Sequence, residues 1–295
     1  MGKKSNNKKR KLTPLQGTPE TMAPELKPNM VLPPHAYASG EMGQLGSIMV
    51  AIPTGRHNIN SGTVKSLFSA QPYLGMFKSV MFYSHAGSLI QIARQESLDL
   101  ALKEGIRWLW FIDDDMSFQP DTPIRLVQDC LKNDFALCSA LAIKRVPPFS
   151  PTVGMDTDPE GHPILTPETV PESGVHTVAH SGLACTVIDM DKIRNNELCG
   201  NGKLFYLAVS EDNVRMVGED LVFCNLLTKR GMKVGLDANL WTGHFGMHEF
   251  RPEMWFGGWK GEYLKKKAES EAAAAPVLNK QEPPPVEAEP IKVNG

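Results

Sequence analysis

The chain has 295 residues, 41% of them hydrophobic, which is enough for a sizeable core in one large domain or two smaller ones. Its formal net charge of −2 argues against general nucleic-acid binding, because binding along a phosphate backbone needs a strongly basic surface. The five cysteines include no CxxC pair, which argues against a zinc site or a disulfide framework and favours a reducing cytoplasm.

Both ends of the chain are poor in apolar residues. Residues 1–44 begin with a basic arm and continue with many Pro, Thr and Glu, while residues 263–295 are dominated by Lys, Glu, Ala and Pro. Such segments bury too little apolar area to offset the entropy of ordering them, so we predict two disordered tails. The basic arm could still make a peripheral contact with an anionic surface. No apolar run reaches the roughly 18 residues that predict a membrane span.

Between the tails, residues 45–262 alternate apolar runs with amphipathic segments, which predicts a single α/β domain. Strands are predicted at residues 48–52, 80–83, 108–112, 135–143, 183–188, 234–236 and 240–245. Helices are predicted from a Ser88 cap to Gly105, from Asp121 to about residue 131, briefly from Asp191, and over residues 221–227. Residues 146–178 lack periodicity and predict a long segment that is functional, a lid or disordered.

Three consecutive carboxylates, Asp113, Asp114 and Asp115, follow the apolar run 108–112. They repel one another and resist desolvation, so they need a cation or solvent to compensate them. Asp113 and Asp115 lie two residues apart and project to the same side if the extended backbone continues. This pair is a hard-oxygen site suited to Mg²⁺ or Mn²⁺, ions that usually also bind substrate phosphates. A solvated acidic turn is the alternative.

Other charged residues also lie beside predicted element ends. Glu219 and Asp220 follow Gly218 at a helix start, where capping alone could explain their charge. Lys144 and Arg145 end a predicted strand, where they could meet phosphates or form a solvated basic turn. Arg94 could reach a diphosphate from its helix, although a side chain that extends to solvent is the commoner outcome.

Taken in order, these segments resemble a nucleotide-sugar glycosyltransferase of the GT-A fold, family 2-like and of bacterial or phage type. The matching segments are Ile52-Pro53-Thr54, Ala93-Arg94-Gln95, the DxD-like Ile112-Asp113-Asp114-Asp115-Met116, Gly218-Glu219-Asp220 and Gly243-His244-Phe245-Gly246. The resemblance implies a Rossmann-like mixed sheet flanked by helices. It also implies metal-dependent transfer of a sugar from a UDP- or GDP-linked donor to a hydroxyl acceptor. The acceptor class (glycan, lipid-linked, protein or modified base) and inversion or retention stay undecided.

On the donor side, the resemblance implies that Pro53 and Thr54 lie beside the nucleotide base. It implies that Asp113 contacts the ribose or the metal and that Asp115 binds the metal, with Asp114 able to take either role. His244 would complete the metal ligands, with His248 as a nearby competitor. A hydrogen-bonded core histidine is the alternative for His244.

On the acceptor side, the resemblance implies that Asp220 is the general base of an inverting reaction, while Glu219 orients it or binds an acceptor hydroxyl. The two roles could be exchanged, and in a retaining enzyme the same carboxylate would position the acceptor. His180 carries no such argument and is expected to be structural or exposed.

Two other functions use a similar set of residues. A nucleotidyltransferase also needs paired Asp and a divalent ion, but it is expected to carry a Gly-rich, basic triphosphate loop, which residues 53–58 do not provide. A carbohydrate- or nucleotide-binding module could keep the fold without turnover. The expected location is the cytoplasm, which is the host cytoplasm if the chain is phage-encoded.

Overall fold

The computed structural model describes residues 45–55, 58–86, 89–157, 163–164, 166–195, 202–209, 216–246 and 249–274. The basic arm, most of the carboxyl-terminal tail, Ser88, Cys199 and His248 lie outside the described residues. Within these ranges, no helix is both long enough and apolar enough to cross a membrane.

The element order alternates strands and helices, as the sequence predicts. The strands are β1 Ser47–Thr54, β2 Ser79–Ala86, β3 Trp108–Ile112, β4 Met116–Ser117, β5 Phe135–Leu141, β6 Val153–Gly154, β7 Asp156–Thr157, β8 Pro163–Ile164, β9 Val175–Val178, β10 His180–Ser181, β11 Cys185–Asp189, β12 Ala208–Val209, β13 Met216–Val217, β14 Lys233–Trp241, β15 Gly243–Phe245 and β16 Glu249–Phe250. The helices are α1 Ser61–Leu74, α2 Ile90–Lys103, α3 Thr122–Asn133, α4 Met190–Arg194, α5 Glu219–Thr228, α6 Pro252–Met254 and α7 Lys260–Ala274.

A mixed seven-stranded sheet has the order β2-β1-β3-β11-β5-β14-β9. β2, β1, β3, β5 and β14 run in one direction, while β11 and β9 run against them. The protein therefore has an α/β fold consistent with a Rossmann-like architecture, and the carboxyl ends of the five parallel strands meet at one edge. In such sheets that edge is the usual place for ligands.

The sheet is buried on both faces, which explains its apolar strands. Leu109 and Phe111 of β3 face a core that includes residues of α2, α4 and α5. Trp108 and Trp110, one residue out of phase, face a second core that includes residues of α1 and α3. The four cysteines expected in the core, Cys130, Cys138, Cys185 and Cys224, are buried as free thiols.

Several elements differ from the sequence prediction. Helix α1 was not predicted, and the two predicted strands at residues 234–236 and 240–245 are instead a longer β14 followed by the short β15. Helix α2 begins after Leu89, whose side chain makes no cap hydrogen bond. The segment predicted as a long loop contributes β9, an edge strand of the main sheet. Helix α7 runs across the predicted boundary at residue 262.

Candidate active site

The acidic segment after β3 is fixed through its backbone. The carbonyl oxygen of Asp114 accepts from the Asn60 amide at 2.8 Å and from Thr63 Oγ1 at 3.1 Å. The carbonyl oxygen of Asp115 accepts from the Phe245 amide at 2.7 Å. Since these partners lie at the start of α1 and in β15, the acidic turn connects two distant parts of the chain.

Arg94 is the centre of the site and is only 4% exposed. Its Nη2 donates to Asp113 Oδ1 at 2.7 Å, and its Nη1 donates to Glu219 Oε1. Burial lowers the pKa of Arg94, but the charges of Asp113, Glu219 and Asp220 outweigh that effect, so the net shift is upward. The expectation that this side chain reaches solvent was wrong, because two carboxylates distant in sequence neutralise it inside the protein.

Glu219 and Asp220 occupy the first turn of α5 but have different surroundings. Glu219 is 7% exposed, and burial raises its pKa while Arg94 opposes the rise. Asp220 is half-buried, and its Oδ1 accepts from the Leu221 amide at 2.8 Å. A Cβ at Gly218 would lie 2.6 Å from that oxygen, so the glycine makes room for the carboxylate. Asp220 is thus the more accessible acid, with Glu219 fixed beside it.

Asp115 and His244 are brought together although 129 residues separate them in sequence. His244 Nε2 lies 3.3 Å from Asp115 Oδ1, and His244 Nδ1 lies 2.9 Å from the Ile143 carbonyl oxygen. Burial lowers the pKa of His244, but hydrogen bonds to Asp115 and Ile143 outweigh it, so the net shift is upward. Since a carbonyl only accepts, Nδ1 carries a proton, and Nε2, which faces Asp115 Oδ1, is the nitrogen that would bind a metal ion in place of that contact.

The two basic residues after β5 are both exposed, but their contacts differ. Arg145 Nη1 donates to Asp115 Oδ2 at 2.5 Å and to the Phe245 carbonyl at 3.2 Å. The charge of Lys144 acts on the buried His180. Arg145 therefore lies against the acidic turn, a contact that was not predicted from the sequence.

Of the three predicted metal ligands, the structure brings Asp115 and His244 into contact with each other, whereas Asp113 faces Arg94. Among the described residues, no three His, Cys, Asp or Glu side chains are arranged to hold a metal. Asp115 Oδ1 and His244 Nε2, 3.3 Å apart, are near the roughly 3 Å that separates adjacent ligands of an octahedral ion. Mg²⁺ commonly takes one or two protein ligands and completes its shell with phosphates and water. Asp113 is instead paired with Arg94.

The remaining predicted donor residues lie at the same edge. Thr54 is 3% exposed and its Oγ1 donates to the His85 carbonyl at 3.1 Å, while Pro53 is buried opposite His85 in the sheet register. The carboxylate of Asp114 accepts from the Gly55 amide. Burial raises the pKa of Asp114, and the charges of Asp115 and Asp113 raise it further.

His180, which was expected to be structural or exposed, is buried near the charges of Asp220 and Lys144. It is 3% exposed, and among the described residues its Nδ1 has no hydrogen-bond partner. Burial lowers its pKa to about 4; Asp220 opposes the shift and Lys144 adds to it. The only local signal was its place in the polar His180-Ser181-Gly182 stretch before an apolar strand.

No protein-family model matches the chain, and no curated protein matches it. Among the solved structures that do match is A197 from STIV, which is 14% identical in sequence. That match covers 68% of this chain and 86% of A197, with a TM-score of 0.48. Similarity at this level assigns no function.

Proposed function

We propose that the protein is a metal-dependent glycosyltransferase of the GT-A type that moves a sugar from a nucleoside-diphosphate sugar to a hydroxyl acceptor. The observation that carries the proposal is the meeting of the acidic turn, His244 and the Glu219–Asp220 pair at the carboxyl edge of one sheet. The sequence resemblance supports the same proposal, because it rests on these segments in their order along the chain. Arg94 physically joins the acidic turn to the start of α5.

On the donor side, Asp115 and His244 would hold Mn²⁺ or Mg²⁺, and the diphosphate and water would supply the other ligands. Bound there, the ion would stabilise the negative charge of the leaving diphosphate. Arg145 and Lys144 would contact the phosphates. Asp113, oriented by Arg94, would meet the ribose, and Pro53 and Thr54 would flank the base of a UDP- or GDP-linked donor.

On the acceptor side, Asp220 would act as the general base of an inverting reaction. The acceptor oxygen bonds to the anomeric carbon, the bond from that carbon to the phosphate oxygen breaks, and the acceptor proton passes to Asp220. Glu219, fixed by Arg94, keeps the first turn of α5 oriented. In a retaining reaction Asp220 would instead position the acceptor.

The first test is thermal unfolding with UDP, GDP, CDP, dTDP and UMP, each with and without Mn²⁺. A ligand that binds only the folded state raises its melting temperature by mass action. We expect one nucleoside diphosphate to stabilise the protein only with the metal, and Asp115→Asn to remove that effect. Equal behaviour of Asp115→Asn and the native chain would reject the donor site.

The second test is turnover of the nucleotide sugar whose diphosphate stabilises the protein. Asp220→Asn is expected to lose about 10²-fold or more in rate, because a positioned general base contributes that much. Its Mn²⁺-dependent stabilisation by the diphosphate should persist, since Asp220 lies on the acceptor side. Binding without turnover in the native chain would favour the non-catalytic module.

A further inference from the structure

The carboxylate of Asp115 has a contact on each oxygen. Oδ1 faces His244 Nε2 at 3.3 Å, and Oδ2 accepts from Arg145 Nη1 at 2.5 Å. The latter contact is a charge-assisted hydrogen bond of the strong class. A divalent ion and Arg145 therefore need the same carboxylate group.

The Arg145 side chain is 48% exposed, whereas that of Asp115 is 20% exposed. The guanidinium also donates to the Phe245 carbonyl at 3.2 Å, and a Cβ at Gly246 would lie 3.6 Å from Arg145 Cδ. Arg145 thus lies along the strand that carries His244, with its charged end over the acidic turn. An exposed arginine in this position can leave Asp115 without disturbing the core.

We propose that Arg145 is a displaceable counter-cation that competes with the divalent ion for Asp115 and moves to the diphosphate when donor and metal bind together. This inference rests on the proposed function. Two positive charges cannot share one carboxylate without repelling each other, so Arg145 weakens binding of the metal alone. A diphosphate gives the released guanidinium a new anionic partner with matching geometry.

The consequence is positive coupling between metal and nucleotide. The metal displaces Arg145 from Asp115, and the diphosphate gives the released guanidinium a new partner. Each ligand should therefore bind more tightly in the presence of the other, by the same factor. Metal without a nucleotide would bind weakly.

The test is titration of the nucleotide-free protein with Mn²⁺, followed by electron paramagnetic resonance of the free ion. Arg145→Met should bind Mn²⁺ about fivefold more tightly than the native chain, the upper end of what an exposed ion pair contributes. Arg145→Lys, which keeps the charge, should stay close to the native affinity. Asp115→Asn should lose the binding.

The matched control is Lys144→Met. This variant removes one positive charge at the neighbouring residue. Because no phosphate is present in the titration, any change in its Mn²⁺ affinity measures only the long-range electrostatic effect of that charge. We expect it to change Mn²⁺ affinity by less than about twofold, as is usual for an exposed charge. The coupling experiment repeats the titration with GDP or UDP, where Arg145→Met should reduce the mutual enhancement.

Equal affinities of Arg145→Met and Lys144→Met would overturn the counter-cation while leaving an Asp115-dependent metal site in place. Weaker Mn²⁺ binding by Arg145→Met would overturn it as well. If the native chain binds no Mn²⁺ with or without nucleotide, or if Asp115→Asn binds it equally well, the proposed function itself fails.

Discussion

Two regions of the described structure contain a buried arginine beside two acids. At the sheet edge, Arg94 of α2 binds Asp113 and Glu219. Beneath α3, Arg125 Nη2 lies 3.0 Å from Asp237 Oδ2 of β14, and Asp129 is hydrogen-bonded to Asp237. The residue types are nearly the same, but the two clusters differ in what lies next to them.

In the Arg125 cluster the two carboxyl groups hydrogen-bond to each other, and Asp237 also binds Asn239. Asp237 is 1% exposed, and its Oδ1 accepts from the backbone and side-chain nitrogens of Asn239, both at 2.9 Å. Burial, followed by the charge of Asp237, raises the pKa of Asp129 to about 8, so this acid keeps its proton at neutral pH. The cluster fixes an irregular part of β14 between Asp237 and Trp241, just before His244.

The Arg94 cluster is instead partly exposed, since the side chain of Asp113 is 26% exposed, and it is bordered by further half-buried acids. Asp115 lies two residues after Asp113, Asp220 directly follows Glu219, and both Asp115 and Asp220 are half-buried. Arg94 neutralises Asp113 and Glu219, and in the proposed function Asp115 and Asp220 are left for a cation and an acceptor. A buried arginine with two acids is therefore not itself a sign of a functional site. The accessible acids beside it are the distinguishing feature.

The largest expected effect separates the two clusters directly. Arg94→Met and Arg125→Met should each lower the free energy of unfolding by about 3–5 kcal/mol, because each leaves a buried acid without its partner. Urea unfolding measures this loss. Arg125→Met should keep the Mn²⁺-dependent stabilisation by nucleoside diphosphate, whereas Arg94→Met should lose it.

A second pair of variants keeps the comparison testable if either methionine variant fails to fold. Arg94→Lys and Arg125→Lys keep the positive charge but lose the planar guanidinium with its several donors. They should lower the free energy of unfolding less than the methionine variants do. Nucleotide binding retained by Arg94→Lys and Arg94→Met alike would show that the sheet-edge cluster is as purely structural as the other.

Much of the fold follows from local sequence. The apolar runs that became β1, β3, β5 and β11 were predicted because strands buried on both faces are almost continuously apolar. Helix α1 was missed, since it contains Ser, Thr, Gly and an internal Pro72 in place of a clear apolar stripe. Its start is fixed by distant contacts from Asn60 and Thr63 to the acidic turn, which a local pattern does not reveal.

The candidate site was predictable to the extent that its residues lie at the ends of predicted strands and helices. Asp115 and His244 were predicted together from the resemblance, and the structure places them in contact. Arg94 shows the limit, because its partners lie 19 and 125 residues away and only the packed α2 and α5 bring them within reach. The middle of β14 was missed for the same reason, since its Asp237 is paired with Arg125 from another element.

A smaller effect concerns pH on the alkaline side. The unfolded chain releases the Asp129 proton near pH 4, whereas the folded protein holds it to about pH 8. Between these values the folded state binds more protons, so stability falls as pH rises, by up to about 1.4 kcal/mol per pH unit. Asp129→Asn keeps a donor for Asp237 without a titrating proton, so melting temperatures from pH 5 to 8.5 should decline less steeply. An unchanged decline would show that another group causes it.

The smallest effect lies on the acid side and belongs to the candidate site. His180 takes up a proton near pH 6.5 in the unfolded chain but only near pH 4 when folded. In this interval the unfolded state binds more protons, so stability falls as pH is lowered. The interval covers about 2.5 pH units, against about 4 for Asp129, so the total loss is smaller. His180→Asn should flatten the melting-temperature profile between pH 4 and 6.5 and leave the alkaline decline intact, whereas Asp129→Asn should do the reverse. If one variant changes both the acid and the alkaline part of the profile, the regions around His180 and Asp129 are coupled in stability although they are separate in the fold.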